Sequence, residues 1–256
     1  MSQKIPPHDG SEPRERGLER PSARLFRYLE AKDDILLVTT SNRYEKHTWD
    51  MAKTTELAHR VKARLEETAK RVTLLDVTKL KIHTCEGNIS AGRGNNCGVL
   101  EAKLDDPLKN PTGHHRCWAS VNNADDELHE VSRALFRSKV VIFFVSVRWG
   151  QTNSVYQRLF ERLSWIENRV TTFGEPPIPE LKDLEAGMVL FGHNWNAARV
   201  LETQRRNFEW FGWKTPDELS FAWQHTDEDE ESPESYLRAI DEFREFLRPG
   251  TKPPGD

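Results

Sequence analysis

The sequence lacks any uninterrupted apolar run of the roughly 20 residues that a membrane-spanning helix needs. It contains only three cysteines in 256 residues, an odd number that suits a reducing compartment better than a disulfide framework. Residues 1–24 are charged and proline-rich without an apolar segment, so we expect no secretory signal. A net charge of -4 gives no reason to expect nucleic acid or an anionic membrane as partner. These absences favour a cytoplasmic protein.

Several catalytic motifs are also missing. The sequence has no G-x-S-x-G elbow, so hydrolase chemistry of that type has no nucleophile. It has no H-E-x-x-H segment, and we predict no metal site. The loop after the first predicted strand contains no glycine, which excludes both the Walker loop and the dinucleotide G-x-G-x-x-G pattern there. Any phosphate bound by this loop must therefore be held by side chains and helix amides.

Apolar runs alternate with segments of helical periodicity from residue 34 onwards. The predicted strands are DILLVTT, VTLLDV, KVVIFFVSV, GMVLFGH and LSFAWQ. Helices are expected near residues 49–70, 125–137, 154–167, 197–210 and 233–247. Such alternation predicts an α/β fold, a doubly wound five-stranded parallel sheet with ligands bound beyond the carboxyl ends of its strands.

We predict a single domain with extensions. Residues 1–33 form an N-terminal arm, whose last part has a short apolar helix face at Leu25, Phe26, Tyr28 and Leu29. Residues 34–225 form the sheet domain. Within it, residues 84–124 are an insertion after the second strand, and we expect a lid or a subunit contact there because long insertions are often functional. Residues 226–256 form an acidic linker and a C-terminal helix.

Three polar loops follow the first, third and fourth strands and should converge on one crevice. The first, TTSNRYEKHT, is rich in hydroxyls and precedes a helix N-terminus, which is a combination suited to a phosphate. The other two, SVRWGQTNS and HNWNAAR, each combine a tryptophan with amide side chains, as a flat heteroaromatic ring with polar edges requires. A phosphate site beside a flat-ring site indicates a mononucleotide, and flavin mononucleotide (FMN) is the simplest choice.

The same segments resemble motifs of a known family. Ser41-Asn42-Arg43 with Thr48 is similar to an S-x-R-x-x-x-x-T phosphate loop. The segment VSVRWGQTNS is followed by a predicted helix that contains FERL, residues 160–163. Together they are similar to a P-x-Y-W-G-S loop followed by a helix ending in a [DE]-R pair. The third motif of that family is a strand, a polar loop and a helix, and the segment GMVLFGHNWNAARVLETQRRNFEWFGW resembles it. In this order the motifs resemble the flavodoxin-like NAD(P)H-dependent FMN reductases and quinone reductases, a group related to iron–sulfur flavoproteins, over about residues 35–213.

The resemblance implies an FMN-dependent oxidoreductase that takes a hydride from NAD(P)H onto flavin N5 and passes electrons to a quinone, flavin or other small acceptor. It implies a homodimer or homotetramer and no obligatory acid–base side chain. The cofactor contacts that it implies are Ser41, Arg43 and Thr48 at the phosphate, Arg148, Trp149, Gly150, Gln151, Thr152 and Asn153 along the isoalloxazine, and His193, Asn194 and Trp195 on the other side.

Departures from the family pattern leave alternatives open. Arg148 stands where an aromatic residue is usual, and it reaches the flavin N1 edge, the phosphate of the nicotinamide substrate, or only a surface partner. Trp195 stacks at the site or covers the core. No motif distinguishes NADH from NADPH.

The cysteines are a further departure. Iron–sulfur members carry four, whereas this chain offers Cys85, Cys97 and Cys117, with His83, His114 or His115 as a fourth ligand. We expect no cluster and no zinc. The rival functions are an iron–sulfur electron-transfer flavoprotein and a non-catalytic flavodoxin-like module.

Overall fold

The computed structural model describes residues 21–41, 52–68, 70–88, 94–192 and 196–224, together with residue 234. Five parallel strands form one sheet in the order β2-β1-β3-β5-β6, and a two-residue strand, β4, pairs antiparallel with the end of β3. The strands are β1 (Ile35–Thr39), β2 (Val72–Asp76), β3 (Val140–Arg148), β4 (Gln151–Thr152), β5 (Glu185–Gly192) and β6 (Phe221–Gln224).

The order of the strands reverses at β1. The chain passes from β1 to β2 on one side, then crosses back to β3 on the other side, and β5 and β6 continue in that direction. Such a reversal opens a crevice at the carboxyl ends of the two central strands, here β1 and β3. The arrangement confirms the predicted doubly wound parallel sheet.

Helices cover both faces of the sheet. They are α1 (Pro21–Glu30), α2 (Lys53–Glu67), α3 (Trp118–Asn122), α4 (Leu128–Phe136), α5 (Ser154–Thr171) and α6 (Ala197–Trp210). Short 3-10 turns occupy Val77–Lys79, Leu100–Ala102, Pro179–Leu181 and Asp217–Leu219. Among the described helices, none combines the length and the apolar character that crossing a bilayer requires.

Strand β1 shows why the sheet has two cores. Ile35 and Leu37 point to the face covered by α1 and α2, whereas Leu36 and Val38 point to the face covered by α4, α5 and α6. Side chains of successive strand residues point to opposite faces, so a strand between two helical layers must be apolar at every position. The uninterrupted apolar run of β3 has the same cause.

Some predicted boundaries differ from the structure. Helix α2 begins at Lys53 and not near residue 49, because Ala52 has an extended ψ of 135°. Helix α4 begins at Leu128 and not at residue 125, since the carboxylate of Asp126 accepts a hydrogen bond from the Leu128 N–H and turns the chain into the helix. Helix α5 continues to Thr171, beyond the predicted residue 167.

Other predicted segments are only partly described. Of the C-terminal helix predicted near residues 233–247, only residue 234 is described, and it is helical. Within the segment predicted as an arm, residues 21–30 form α1, and its Leu25 and Leu29 are buried in the core on the α2 face.

The described part of the insertion lies along α4 and α5. The side chain of Asn168 in α5 donates to the carbonyl of Cys97 at 2.6 Å, and the indole of Trp118 donates to the carbonyl of Asn96 at 2.9 Å. His115 is buried, with Nδ1 2.8 Å from Ser132 Oγ and Nε2 2.9 Å from Ser120 Oγ. These contacts fix the insertion beside α5, and its role as a lid stays a prediction.

A buried ion pair connects α5 to the residues that directly follow this insertion. Arg162 donates to both carboxylate oxygens of Asp126, at 2.8 and 2.9 Å, and both side chains are fully buried. The same guanidinium donates to the carbonyl of His83 at 2.8 Å, to Ser120 Oγ at 3.0 Å and to Cys117 Sγ at 3.2 Å. One side chain of α5 therefore holds three segments of the same chain: the segment at His83, helix α3 with its cap, and the start of the turn into α4.

The charge of Asp126 is stabilised by this network. Burial alone would raise the pKa of its carboxyl, but hydrogen bonds from Arg162 and Ser120 and the guanidinium charge lower that pKa to about 2. The ionised form is therefore favoured in the folded protein. This contribution to stability is complete above the unfolded-state pKa of about 4 and is lost as the pH falls toward 2.

We predict that Asp126→Asn lowers the free energy of unfolding by about 3–5 kcal/mol, because it leaves a buried guanidinium without its charged partner. Urea denaturation at neutral pH measures this loss. The matched control is Asp125→Asn, since Asp125 pairs with Lys81 and His83 in an exposed position, and it should change stability little. Equal losses in the two variants would contradict the role of the buried pair.

Candidate functional site

The predicted crevice lies where β1 and β3 end. Thr40, directly after β1, donates to the carbonyl of Phe144 in β3 at 3.3 Å, and its hydroxyl accepts from the side chain of Asn153 at 3.2 Å. The loop after β1 and the loop after β3 are thus in direct contact. This contact confirms that parallel strands bring these two polar segments together.

Three buried hydroxyls at the start of this crevice have no hydrogen-bond partner within the described chain. They belong to Thr39, Ser41 and Thr54. Thr39 is 0% exposed and Thr54 is 1% exposed, so neither hydroxyl is compensated by bulk solvent. A buried hydroxyl without a partner costs about 1–3 kcal/mol, so three of them in one place indicate a ligand that completes their bonds.

Ser41 and Thr54 lie at the N-terminus of α2, and Thr39 ends β1, the strand that packs against this helix. Ala52 precedes the helix and offers no side chain to cap it. The N–H groups of the first turn have no partner inside the helix, and the helix dipole adds partial positive charge at this end. Thr55 donates to the carbonyl of Ser41 at 3.4 Å and so holds the end of β1 against the helix start. Hydroxyls and amides together form a site for an anion.

Of the predicted phosphate contacts, Ser41 lies at this site, whereas Arg43 and Thr48 lie outside the described residues. Thr39 belongs to the hydroxyl-rich loop singled out in the sequence but was not among the predicted contacts, and Thr54 was missed. The signal that would have found them is a hydroxyl at a position where the surrounding pattern is apolar. Thr39 follows Ile35 and Leu37 on one face of β1, and Thr54 lies one helical turn before the buried Leu57 and Ala58.

Strand β3 ends in a tight hairpin with β4. Its two turn residues, Trp149 and Gly150, both have positive φ, 50° and 67°. Gly150 adopts this conformation without strain, whereas a tryptophan there costs roughly 1–2 kcal/mol. Trp149 is also 93% exposed. The hairpin therefore presents a strained, fully exposed aromatic ring beyond the carboxyl end of β3.

The other hairpin residues predicted to contact a flat ring differ in their exposure to solvent. Arg148 and Gln151 are exposed on either side of the turn, and Thr152 and Asn153 are buried. Thr152 donates to the side-chain oxygen of Gln157 at 3.3 Å. The hairpin thus offers Arg148, Trp149 and Gln151 to a ligand, while Thr152 faces the protein.

Asn153 uses its hydrogen-bonding groups inside the protein. Its side-chain oxygen caps α5 by accepting from the Tyr156 N–H at 3.0 Å. Its two amide hydrogens go to Thr40 and Ser146, both at 3.2 Å, and its backbone N–H donates to the Ser146 carbonyl. Asn153 therefore positions the hairpin, and no donor of this residue is left for a ligand.

The loop between β5 and α6 reaches the hairpin through one residue. His193, Asn194 and Trp195 lie outside the described residues. Asn196, which follows them, has a positive φ of 64° and donates from its side chain to the carbonyl of Gly150 at 2.7 Å. The loops after β3 and β5 are therefore joined, as the sequence predicted for loops that share one crevice.

The cysteines lie away from this crevice, beside α5. Cys85, Cys97 and Cys117 are free thiols, and burial raises the pKa of Cys85 and of Cys97. No set of three or more histidine, cysteine or acidic side chains in the described ranges is arranged to hold a metal ion. The crevice itself combines anion-binding donors with an exposed aromatic ring.

Comparisons with known proteins address the fold. No protein-family model matches this sequence, and no curated protein matches it significantly. A solved structure of RosB with a bound riboflavin-5′-phosphate derivative aligns over 83% of this chain and 73% of its own, with a TM-score of 0.55 and 13% identity. The chain has a flavodoxin-like fold.

Two further structures are similar at a lower level. An azoreductase from Bacillus anthracis str. Sterne aligns over 84% of this chain and 97% of its own, with 11% identity and a TM-score of 0.48. A flavodoxin from Streptococcus pneumonia TIGR4 aligns over 83% and 96%, with 14% identity and a TM-score of 0.39. At these identities the similarity concerns the fold.

We predict that Asn153→Ala lowers the free energy of unfolding by about 1–2 kcal/mol, because α5 loses its cap and the hairpin loses its bonds to Thr40 and Ser146. Thermal denaturation measures the change. Asn153→Ser is the matched variant, since serine also caps helices but cannot span both partners, so its loss should be smaller. Identical melting temperatures for the two variants would show that the cap contributes nothing.

Proposed function

We propose that this protein binds FMN and acts as an NAD(P)H-dependent oxidoreductase that passes electrons to a quinone, a flavin or another small acceptor. The observation that carries the proposal is the group of buried hydroxyls without partners, Thr39, Ser41 and Thr54, at the uncapped start of α2. A phosphate monoester supplies the three strong acceptor oxygens that such donors require. Glu56, the acidic residue of this first turn, is paired with Arg60.

The rest of the crevice fits a flat ring attached to that phosphate. Trp149 supplies one of the two faces of its exposed ring, Gly150 allows close approach, and Gln151 supplies polar groups at the edge, with Arg148 next to them in the hairpin. In the proposed complex, Arg43 and Thr48 join Ser41 at the phosphate, and His193, Asn194 and Trp195 close the side opposite the hairpin. RosB, which shares the fold, is a protein whose structure contains a bound riboflavin-5′-phosphate derivative.

When bound, FMN supplies the capacity to take electrons from NAD(P)H and to pass them on. The chain's own residues bind and orient. Donors at α2 fix one end of the ligand, and the hairpin fixes the other. Asn153 and Asn196 hold that hairpin from both sides through Thr40 and Gly150. A rigid hairpin fixes the distance from the flavin ring to each of the two substrates, which bind one after the other. Such positioning is the main contribution that the protein makes to this kind of reaction.

The proposal includes a cytoplasmic location and a homodimer or homotetramer, as the family resemblance implies. The free state of Cys85, Cys97 and Cys117 agrees with a reducing compartment.

The visible absorption spectrum of the purified protein tests the proposal directly. We expect flavin absorption bands, present on purification or after addition of FMN, that bleach when NADPH or NADH is added without oxygen. A protein that takes up no FMN would refute the proposal. Bound FMN that neither nicotinamide reduces would indicate a non-catalytic module, and a broad additional absorption that persists would indicate a cluster.

We predict opposite effects of Thr54→Val on stability and on FMN affinity. Removing a buried hydroxyl that has no partner should raise the unfolding free energy of the FMN-free protein by about 1 kcal/mol. Losing a donor to the phosphate should weaken FMN binding about tenfold. Flavin fluorescence titration and urea denaturation measure the two quantities.

Thr40→Val is the matched control for this experiment. The Thr40 hydroxyl is bonded to Phe144 and Asn153, so its removal should destabilise the FMN-free protein. If Thr54→Val also destabilised the protein, or left FMN affinity unchanged, the hydroxyl would not be a phosphate donor.

We further predict that Arg43→Ala lowers FMN affinity at least tenfold, because a charge-assisted contact to the phosphate is lost. The same fluorescence titration applies, with Arg60→Ala as control, since Arg60 is an exposed residue of α2 that pairs with Glu56. Unchanged affinity in Arg43→Ala would remove this residue from the site.

A further inference from the structure

Two arginines near the crevice have no acidic partner within the described chain. Arg148 ends β3 and Arg199 lies in the first turn of α6, and both are exposed. The other two arginines near the end of α6 are paired, the half-buried Arg205 with Asp217 and the exposed Arg206 with Glu202. The absence of partners is therefore a property of this location and not of the helix.

The two arginines lie on loops that touch. Asn196 donates to the carbonyl of Gly150 at 2.7 Å, Arg148 is two residues before that glycine, and Arg199 is three residues after that asparagine. Helix α6 also lies next to β4, the second strand of the hairpin. Both arginines therefore lie at one edge of the crevice, on the side of β5, whereas the proposed FMN phosphate site lies on the side of β1.

The charge at this edge is not compensated by the adjoining helices. The first turns of α5 and α6 contain no acidic residue, although acidic residues are favoured at that position by the helix dipole. Arginine in the first turn is unfavourable for the helix itself. In a chain with a net charge of -4, this edge is positive, and an anionic ligand would offset the repulsion.

Trp149 directly follows Arg148 in the hairpin turn. Its ring is 93% exposed and its backbone has a φ of 50°, so the structure holds an aromatic side chain in solvent at a conformational cost. Exposed tryptophans of this kind gain free energy when a flat ring stacks on them. The edge therefore combines an aromatic face with groups that bind phosphate in a bidentate manner.

The geometry points to a site for the adenosine 2′-phosphate of NADPH at this rim, formed by Arg148, Trp149 and Arg199, so that the protein prefers NADPH to NADH. The inference rests on the proposed function, of which it specifies the reductant. NADPH carries an adenine ring directly beside a phosphate monoester, which matches an aromatic ring beside two guanidinium groups. NADH has the same ring without that phosphate, so it leaves both arginines unpaired.

Isothermal titration of the FMN-loaded protein with adenosine 2′,5′-bisphosphate and with adenosine 5′-monophosphate tests this site without turnover. We expect the bisphosphate to bind at least tenfold more tightly. Arg199→Gln should reduce that ratio about tenfold, the value of one charge-assisted hydrogen bond. Arg206→Gln, seven residues further along α6, is the control of equal charge change and should preserve the ratio. Steady-state rates should show the same loss in the ratio of kcat/KM for NADPH to that for NADH.

The outcomes separate the inference from the proposed function. FMN uptake is measured first, and its failure refutes the proposed function, whereas the titration with the bisphosphate still tests the rim on the FMN-free protein. Equal affinity for the two nucleotides, or an unchanged ratio in Arg199→Gln, overturns the 2′-phosphate site. Arg199→Gln could instead raise the KM for a sulfonated acceptor and leave the ratio of kcat/KM for NADPH to that for NADH unchanged. That result also overturns the 2′-phosphate site and assigns the arginines to the acceptor.

Discussion

The ion pair between Arg162 and Asp126 is the interaction on which the arrangement of the insertion depends. Helix α5 would otherwise present a guanidinium to an apolar layer, and the segment that follows the insertion would present a carboxylate to the same layer. Each charge is tolerated only because the other is there, and because His83, Ser120 and Cys117 complete the hydrogen bonds. The pair thereby specifies where the insertion lies, and α5, fixed in this way, carries the hairpin at its N-terminus.

The crevice follows the opposite principle. Around Arg162 the chain satisfies its own polar groups, whereas at the end of β1 the buried hydroxyls of Thr39 and Thr54 have no partner among the described residues. The hairpin keeps Trp149 in an unfavourable conformation although Asn153 and Asn196 hold the residues around it securely. Rigid supports beneath groups without partners are what a binding site prepared in advance requires.

Much of the fold could be predicted from the sequence. The apolar runs located all five parallel strands, and helix α6 was predicted with its observed limits, because periodicity within one segment is enough for such assignments. The limits of α2 and α4 depended on single residues, Ala52 and Asp126, whose effects arise from backbone geometry and from a side-chain bond. The partnership of Arg162 with Asp126 joins residues 36 positions apart and has no local signature.

The crevice was predicted only in outline. Ser41, Trp149 and Gly150 are where the order of the loops placed them, since strand ends in a parallel sheet must share one edge. The supporting role of Asn153 was not evident from the sequence, because an asparagine at such a position is equally compatible with a ligand contact and with a helix cap. Thr39 and Thr54 were not among the predicted contacts because a single hydroxyl in an apolar pattern is a weak signal until the structure shows that it has no partner.

The hydroxyls without partners have a consequence for the life of the protein in a cell. If FMN completes their bonds, the folded chain gains free energy in proportion to the logarithm of the FMN concentration above its dissociation constant. Newly made chains that lack flavin would unfold more often and be degraded sooner than loaded ones. The steady-state amount of this protein would then follow the supply of FMN without any dedicated regulator.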